Sequence, residues 1–161
     1  MPKSRDRCFI LWADRFDEAV AAIFVTELRK AGLRTSLVRA AGQSDTGANG
    51  LTLVPDMGID EGRVLADRAT CVVIPCNSAA IQQLRIDPRV DEFLGVALAT
   101  DVILVIGEEA SELVSWSEAV GSASQTFYSD QQSVPRLARR IAHQIASSQF
   151  RARRSRQSRP M

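Results

Sequence analysis

The chain has 161 residues, of which 45% are hydrophobic and 24% are charged, and its net charge at pH 7 is +1. This composition fits one globular domain with a buried core and makes a second domain unnecessary. Since no apolar run approaches the roughly 20 residues of a membrane helix, a membrane span is excluded. The polar start of the chain leads into a short apolar segment, so we expect no signal peptide and a cytoplasmic protein.

The cysteines and the histidine give little support for a disulfide framework or a metal site. There are three cysteines and one histidine, and Cys8 and Cys71 fall inside apolar, strand-like runs. His143 cannot form a metal cluster alone, and we expect it on a solvated helix face. No metal and no cofactor is predicted.

The first half of the chain alternates strand and helix patterns. Apolar side chains at three- and four-residue intervals from Val20 to Leu28 predict an amphipathic helix that ends at Gly32. The strands predicted in this half are 8–12, 35–38 and 51–54, with a polar surface loop over 42–50.

The second half continues this alternation. Asp87 and Pro88 are typical of a helix start, and Pro135 begins a last helix whose apolar face contains Leu137, Ile141 and Ile145. The strands predicted in this half are 70–75, 102–106 and 126–128. Strands that alternate with helices favour a mostly parallel sheet covered on both faces. The predicted fold is therefore an α/β protein, a three-layer α/β/α sandwich of flavodoxin-like type.

The apolar run 102–106 stops at Gly107 and is followed at once by acidic residues. This pattern predicts a buried strand that turns directly into a helix from Glu108 to about Ala119. Gly107 would then be a corner that requires positive φ. In folds with a nucleophile at such a corner, its side chain meets the substrate at the carboxyl end of the sheet. Here the corner has no side chain.

The last twelve residues differ from the rest of the chain. Residues 150–161 contain five arginines and no acid, and removing those charges from the net +1 leaves −4 for residues 1–149. We expect a disordered tail that follows a domain at 7–149, with residues 1–6 as an N-terminal extension. The tail is either a solubilising end or a segment that binds nucleic acid or another acidic surface without reading base sequence. Its arginines are Arg151, Arg153, Arg154, Arg156 and Arg159.

Three segments, in this order, carry a resemblance to a known family. They are the opening strand, acidic turn and helix over 9–33, the strand ends Leu53-Val54-Pro55-Asp56 and Val72-Val73-Ile74-Pro75, and the strand, corner and helix at 102–113 continued by 133–145. Together they resemble the ThiJ/PfpI superfamily, which has the class I glutamine amidotransferase-like fold. That family includes protein deglycases, intracellular proteases, chaperones and oxidative-stress proteins, and the resemblance implies a homodimer.

The resemblance also implies where catalytic groups would lie, and this sequence lacks them. The position of the family cysteine matches Gly107, which makes it a degenerate elbow, and the position of the family acid matches Val20, two residues after Glu18. The segment 115–125, which lies where the family has its histidine region, contains no histidine. Because loss of the nucleophile alone removes a covalent route, we expect no residual family chemistry and assign no catalytic residue.

The same region supplies candidates for ligand binding. Cys76 and Asn77 match the turn glycines whose backbone amides help to form the family's oxyanion hole. Cys76 is either a displaced redox thiol or an inert cysteine, and Glu108 is either an acid of the site or a helix-start residue. A small polar or anionic ligand is expected above Gly107, at the start of the helix. The candidates are Asp17, Glu18, Cys76, Asn77, Gly107 and Glu108.

Three functions remain open at this point. The first is a non-catalytic ThiJ/PfpI-like domain that acts as a binding or regulatory module, through another protein or a small ligand. The second is a hydrolase, deglycase or redox-responsive stress protein that depends on Cys76. The third is an adaptor that uses the arginine tail. Trp116 is either an interface anchor or a core residue.

Overall fold

The computed structural model describes residues 4–40, 44–99, 101–113, 120 and 123–158. The strands are β1 (Arg7–Trp12), β2 (Arg34–Arg39), β3 (Met57–Gly58), β4 (Ala69–Ile74), β5 (Ile103–Gly107) and β6 (Ser124–Tyr128). The α-helices are α1 (Glu18–Lys30), α2 (Ile59–Leu65), α3 (Ser78–Arg85), α4 (Pro88–Ala97) and α5 (Val134–Gln157), with 3₁₀ helices at Ala66–Arg68 and Glu108–Leu113. None of the described helices is both long enough and apolar enough to cross a membrane.

The six strands form one sheet in the order β3-β2-β1-β4-β5-β6, and all five pairings between the described strands are parallel. Strand β1 lies at the centre, where Ile10 is opposite Leu37 on one side and Val73 on the other. Residues 8–12 are fully buried. A continuous apolar run is what a parallel strand needs when helices cover both faces of its sheet.

The helices form two layers. Helix α1 packs against α5, and α4 packs against α2 and α3. The chain moves from β1 to β2 in one direction along the sheet and from β4 to β5 in the other, so right-handed crossovers place the two sets of helices on opposite faces. Phe9 contacts Phe93 of α4 edge to face, with ring centroids 5.2 Å apart. The predicted three-layer sandwich is therefore confirmed, and without the edge strand β3 the strand order is that of flavodoxin.

The strand predicted at 51–54 is wrong. Thr52 makes a single antiparallel bridge with Thr46, and Val54 is 81% exposed. Asp56 pairs with β2 through two groups, because its N–H donates to the Leu37 carbonyl and its carboxylate accepts the Leu37 N–H at 2.7 Å. The chain joins the sheet only after this anchor, at the two-residue strand β3.

Helices α2 and α3 were not predicted from the sequence. Helix α2 has seven residues and includes Gly62, and α3 has eight residues with three buried side chains. Such short segments do not complete an amphipathic period that is recognisable in the sequence. The start of α3 does carry a signal, since Asn77 caps it by accepting the N–H of Ala80 at 2.9 Å.

The arginine segment is not a separate disordered tail over 150–157. Helix α5 begins at Val134 and continues through the boundary predicted at 149 to Gln157. Its first three turns pack against the domain. Once these turns have formed, further residues extend the helix without the unfavourable nucleation step. Arginine is a good helix former and is favoured near a helix C-terminus. Arg159 lies outside the described residues.

Glu18 joins the first turn of α1 to the loop at 47–51. Its side chain is 3% exposed, and Oε1 accepts the N–H groups of Asn49 at 2.7 Å and Leu51 at 3.3 Å. Gly47 is required beside it, because a Cβ there would clash with the Glu18 side chain, including its Cβ. Burial of the carboxyl group raises its pKa, but the hydrogen bonds from backbone N–H groups outweigh burial and hold the pKa below its ordinary value.

We expect Glu18→Gln to lower the free energy of unfolding at pH 7 by about 1–3 kcal/mol, because buried donors lose a charged acceptor. The native pKa is depressed, so this stability is present above about pH 4.3, the unfolded value, and is lost as pH falls through the native pKa. Urea unfolding at pH 7 and pH 3 should therefore give a smaller difference at pH 3. Glu61→Gln, at an exposed position of helix α2, is the control. An equal loss at both pH values would contradict this account.

Candidate functional site

The segments that follow β1, β4, β5 and β6 enclose a cavity of about 260 Å³, here called the carboxyl-edge cleft. It lies at the edge of the sheet where the parallel strands have their carboxyl ends. It is next to strands β1 and β4, between which the direction of the crossover connections reverses. The lining residues are Arg15, Asp17, Ala48, Asn49, Cys76, Asn77, Gly107, Glu108, Glu109, Tyr128, Ser129, Asp130 and Gln131.

The structure brings five of the six candidate residues together in this cleft. They are Asp17, Cys76, Asn77, Gly107 and Glu108. The exception is Glu18, whose buried carboxylate holds the loop at 47–51. Val20, which the resemblance aligned with the family acid, is fully buried in the core. The predicted acid position is therefore a packing position.

Two of the candidates already serve as helix caps. Asp17 Oδ1 accepts the N–H of Val20 at 3.0 Å at the start of α1, and Asn77 does the same for Ala80 at the start of α3. Each cap occupies an N–H group that would otherwise be available to an anion. The helix N-termini at the cleft are thus weaker anion sites than helix position alone indicates.

Gly107 is not the strained corner that was predicted. Among the described glycines, positive φ occurs at Gly32 and Gly50, and Gly107 is the last residue of β5, paired with Tyr128 of β6. A Cβ at Gly107 would lie 3.2 Å from both Cζ and Oη of Tyr128. A glycine is therefore favoured by the close approach of the Tyr128 ring from the neighbouring strand and not by backbone conformation.

The segment after Gly107 is a short 3₁₀ helix. It spans Glu108–Leu113, whereas an α-helix to about residue 119 was predicted. The carbonyl of Glu109 accepts the Ser78 hydroxyl at 2.9 Å, which ties this segment to α3. Residues 114–119, including Trp116, lie outside the described residues.

The Cys76 thiol is protonated at neutral pH. The residue is 2% exposed, and burial raises the pKa of its thiol to about 12. The negative charge of Asp17 also raises this pKa, whereas a hydrogen bond with the Ala13 backbone lowers it. A reactive cysteine needs a lowered pKa and access to solvent. Cys8 and Cys71 are also buried, and all three cysteines are free.

The charged residues of the cleft are mostly acidic. Of the described lining residues, four carry carboxylates and one carries a guanidinium. They are Asp17, Glu108, Glu109 and Asp130, with Arg15 as the cation. Asp130 is partly engaged, because its Oδ1 accepts the N–H of Ser133 at 2.7 Å. The side chains of Glu108 and Glu109 are exposed.

Sequence reasoning missed Arg15, Tyr128 and Asp130 as site residues. Arg15 has φ of 56°, the one non-glycine residue with positive φ in the described part of the chain. That conformation is uncommon for arginine and marks a tight turn at the cleft. Burial raises the pKa of Tyr128, with smaller increases from Asp17, Cys76 and Glu109. The position of Tyr128 at the carboxyl end of the last strand was the available signal, because the carboxyl ends of all the parallel strands lie at this edge of the sheet.

No group of three or more His, Cys, Asp or Glu side chains that suits a metal ion occurs within the described residues. His143 is exposed on α5, as the helix pattern predicted.

Comparison with solved structures places the fold in a known class. The chain is similar to Drosophila melanogaster DJ-1beta, with 13% identity and a TM-score of 0.70 over 89% of this chain and 91% of that one. It is also similar to a DJ-1 superfamily protein from Salmonella typhimurium, with 15% identity and a TM-score of 0.66 over 97% and 100% of the two chains.

A third similarity connects the two family names. A two-domain protein from Anabaena variabilis with DJ-1/ThiJ/PfpI-like and ferritin-like domains matches at 21% identity and a TM-score of 0.55, over 67% of this chain and 32% of that one. No protein-family model and no curated protein sequence matches the chain. The chain therefore has the fold of DJ-1/ThiJ/PfpI superfamily proteins, as the resemblance predicted.

We expect Gly107→Ala to lower stability by about 1–2 kcal/mol, because the added methyl group forces the Tyr128 ring to move. The same substitution in a Tyr128→Ala background should cost less, and urea unfolding of the four proteins gives the coupling. Gly95→Ala is the control, since a Cβ there meets nothing within 4 Å and alanine is favoured in helix α4. An equal loss of unfolding free energy on Gly107→Ala in both backgrounds would show that the Tyr128 ring does not cause this loss.

Proposed function

We propose that the chain is a non-catalytic binding or regulatory module, and that its carboxyl-edge cleft binds a small polar ligand with a positively charged group. The approach of Tyr128 to Gly107 is the observation that carries this proposal. The Cζ and Oη atoms of Tyr128 lie 3.2 Å from the position that a Cβ at residue 107 would take. The cleft therefore has no nucleophile at this position, and the Tyr128 ring would have to shift to admit one.

The other groups of the cleft support a binding role. Cys76 lacks the thiolate that a covalent route needs, since burial and Asp17 raise its pKa. Val20 is apolar and buried, so it cannot exchange protons with a substrate. The hydrogen bond with the Ala13 backbone lowers the pKa of the Cys76 thiol, but burial outweighs it, which disfavours a hydrolase or deglycase that depends on Cys76.

The charge of the cleft favours a cation over the anion expected from the sequence. Glu108 and Glu109 are exposed at the cleft, and they start a 3₁₀ helix whose six residues provide only a weak dipole. Carboxylate oxygens accept hydrogen bonds from ammonium or guanidinium groups, and these charge-assisted bonds are stronger than neutral ones. Arg15 adds one positive charge that suits the carboxylate of a zwitterion.

The size of the cleft limits the ligand. Its volume of about 260 Å³ lies just below the usual range for pockets that bind drug-sized ligands. An amino acid or a short diamine is the class of molecule that meets both the size and the charge. Homodimer formation and cytoplasmic location stay predictions.

The proposal is tested by titrating the full chain with 1,4-diaminobutane, arginine and succinate, followed by NMR chemical shifts or calorimetry. We expect both amines, but not succinate, to shift the resonances of the cleft residues, because four carboxylates in the cleft repel a dianion. The Glu108→Gln/Glu109→Gln double variant should bind the amines at least tenfold more weakly. Glu61→Gln, which removes an exposed charge on α2, should leave the affinity unchanged.

Two results would overturn the proposal. Stronger binding of succinate than of diaminobutane would show that the cleft selects anions. A hydrolase or deglycase rate that persists through repurification and disappears in Cys76→Ser would establish the Cys76-dependent enzyme.

A further inference from the structure

Helix α5 extends beyond the part of the domain that buries it. Its buried side chains end at Ile145, but the helix continues for twelve more residues to Gln157. Gln149, Ala152 and Arg156 follow Ile145 at three- and four-residue intervals, so they share its face of the helix. That face is apolar where it covers α1 and the sheet, and it becomes polar and basic where it passes residues 4–6.

The end of α5 and residues 4–6 enclose a second cavity of about 340 Å³, here called the amino-edge groove. It lies beside the start of β1, at the opposite edge of the sheet from the carboxyl-edge cleft. The lining residues are Ser4, Arg5, Asp6, Gln149, Ala152, Arg153 and Arg156. Residues 4–6 were predicted as part of an extension, but Asp6 is attached to the domain through Arg68.

The amino-edge groove is positively charged. Of its described lining residues, Arg5, Arg153 and Arg156 are basic, and Asp6 is acidic. Asp6 is already paired, because Arg68 donates to its two carboxylate oxygens at 3.0 and 2.8 Å. The charge of Asp6 is thus neutralised by a residue outside the groove, and the three arginines of the groove keep their positive charges.

Two hydrogen-bond donors of the groove residues are unused. Arg5 Nη1 and Gln149 Nε2 are buried and have no hydrogen-bond partner within the described residues. Both side chains also line an adjacent cavity of about 420 Å³ that reaches Thr70 and Ser124. A buried donor without an acceptor costs free energy, and both atoms can be satisfied only by an acceptor.

We propose that the amino-edge groove binds the phosphate group of a small molecule. A phosphate offers several acceptor oxygens and negative charge, which match the unused donors and the three guanidinium groups. The flexible Arg5 and Gln149 side chains turn toward the bound oxygens. This site is independent of the carboxyl-edge cleft.

A small phosphate compound fits the groove better than nucleic acid does. Binding of single-stranded nucleic acid usually requires aromatic side chains on which bases stack. Phe150 is the exposed aromatic residue of α5, and the Arg154 guanidinium lies over its ring, 5.8 Å from the centroid. The two unused donors belong to side chains that line the same two cavities, and only one of these side chains is on the helix.

The test uses the full chain with inorganic phosphate and diphosphate as probes, followed by calorimetry and by NMR of the arginine Nε–H groups. We expect saturable binding that weakens at least tenfold in Arg5→Gln and in Arg156→Gln. Arg151→Gln and Arg154→Gln are matched controls, because they remove the same charge from the same helix outside the groove. They should change the affinity less than threefold, and all variants should keep the wild-type melting temperature.

Three results would overturn this inference. Absence of binding at 10 mM phosphate or diphosphate would exclude the site. Equal losses in Arg156→Gln and Arg154→Gln would mean that the probe responds to the total charge of the helix and not to the groove. Tighter binding of a 20-nucleotide single strand, with similar contributions from all the arginines tested, would identify α5 as a nucleic-acid adaptor.

Discussion

Burial of the parallel strands β1 and β4 from both faces is the constraint on which the rest of the molecule depends. Their apolar side chains are inaccessible to water, so helices must cover both faces of the sheet, and each parallel connection must cross it. The crossovers bring all the carboxyl ends of the strands to one edge and all the amino ends to the other. Both cavities lie at these edges, because the two faces of the sheet are occupied by core packing.

The two edges have opposite charge. Aspartate and glutamate side chains dominate the carboxyl-edge cleft, and arginines dominate the amino-edge groove. The near-neutral net charge of the chain hides this separation. The two proposals together describe a domain with the DJ-1/ThiJ/PfpI fold that binds two ligands of opposite charge, one at each end of its strands. The Tyr128 ring beside Gly107 is what separates this proposed role from covalent chemistry.

The sequence predicted those parts of the fold that have strong local patterns. The buried strands β1, β4 and β5 are unbroken apolar runs, and α1, α4 and α5 have apolar periodicity with recognisable start signals. Strand β3 was not predicted, because a two-residue edge strand has no periodicity. The apolar segment 51–54 was predicted as a strand instead. The end of α5 was also missed, since a composition rich in arginine is typical of disorder until a packed helix precedes it.

The sequence predicted that most of the candidate residues lie close together, but it did not predict their contacts. Strand ends and the family resemblance placed five candidates in the cleft, because the topology alone brings them together. The predicted reason for a glycine at position 107, a positive φ, was wrong. The glycine is favoured by Tyr128, which lies on the neighbouring strand and 21 positions later in the chain, so the sequence near Gly107 carries no sign of it. Glu18 was assigned to the ligand because its hydrogen bonds to the loop, 31 and 33 positions away, leave no local signal.

The reactivity of Cys76 tests most directly whether this cleft lacks a nucleophile. The rate of alkylation by iodoacetamide is measured on the folded chain from pH 6 to pH 10, with peptide mass spectrometry to distinguish Cys76 from Cys8 and Cys71. The pKa of about 12 predicts slow modification at pH 7 and a rate that rises with pH without a plateau. Rapid alkylation of Cys76 at pH 7, with a plateau below pH 8.5, would reveal a thiolate and contradict the account.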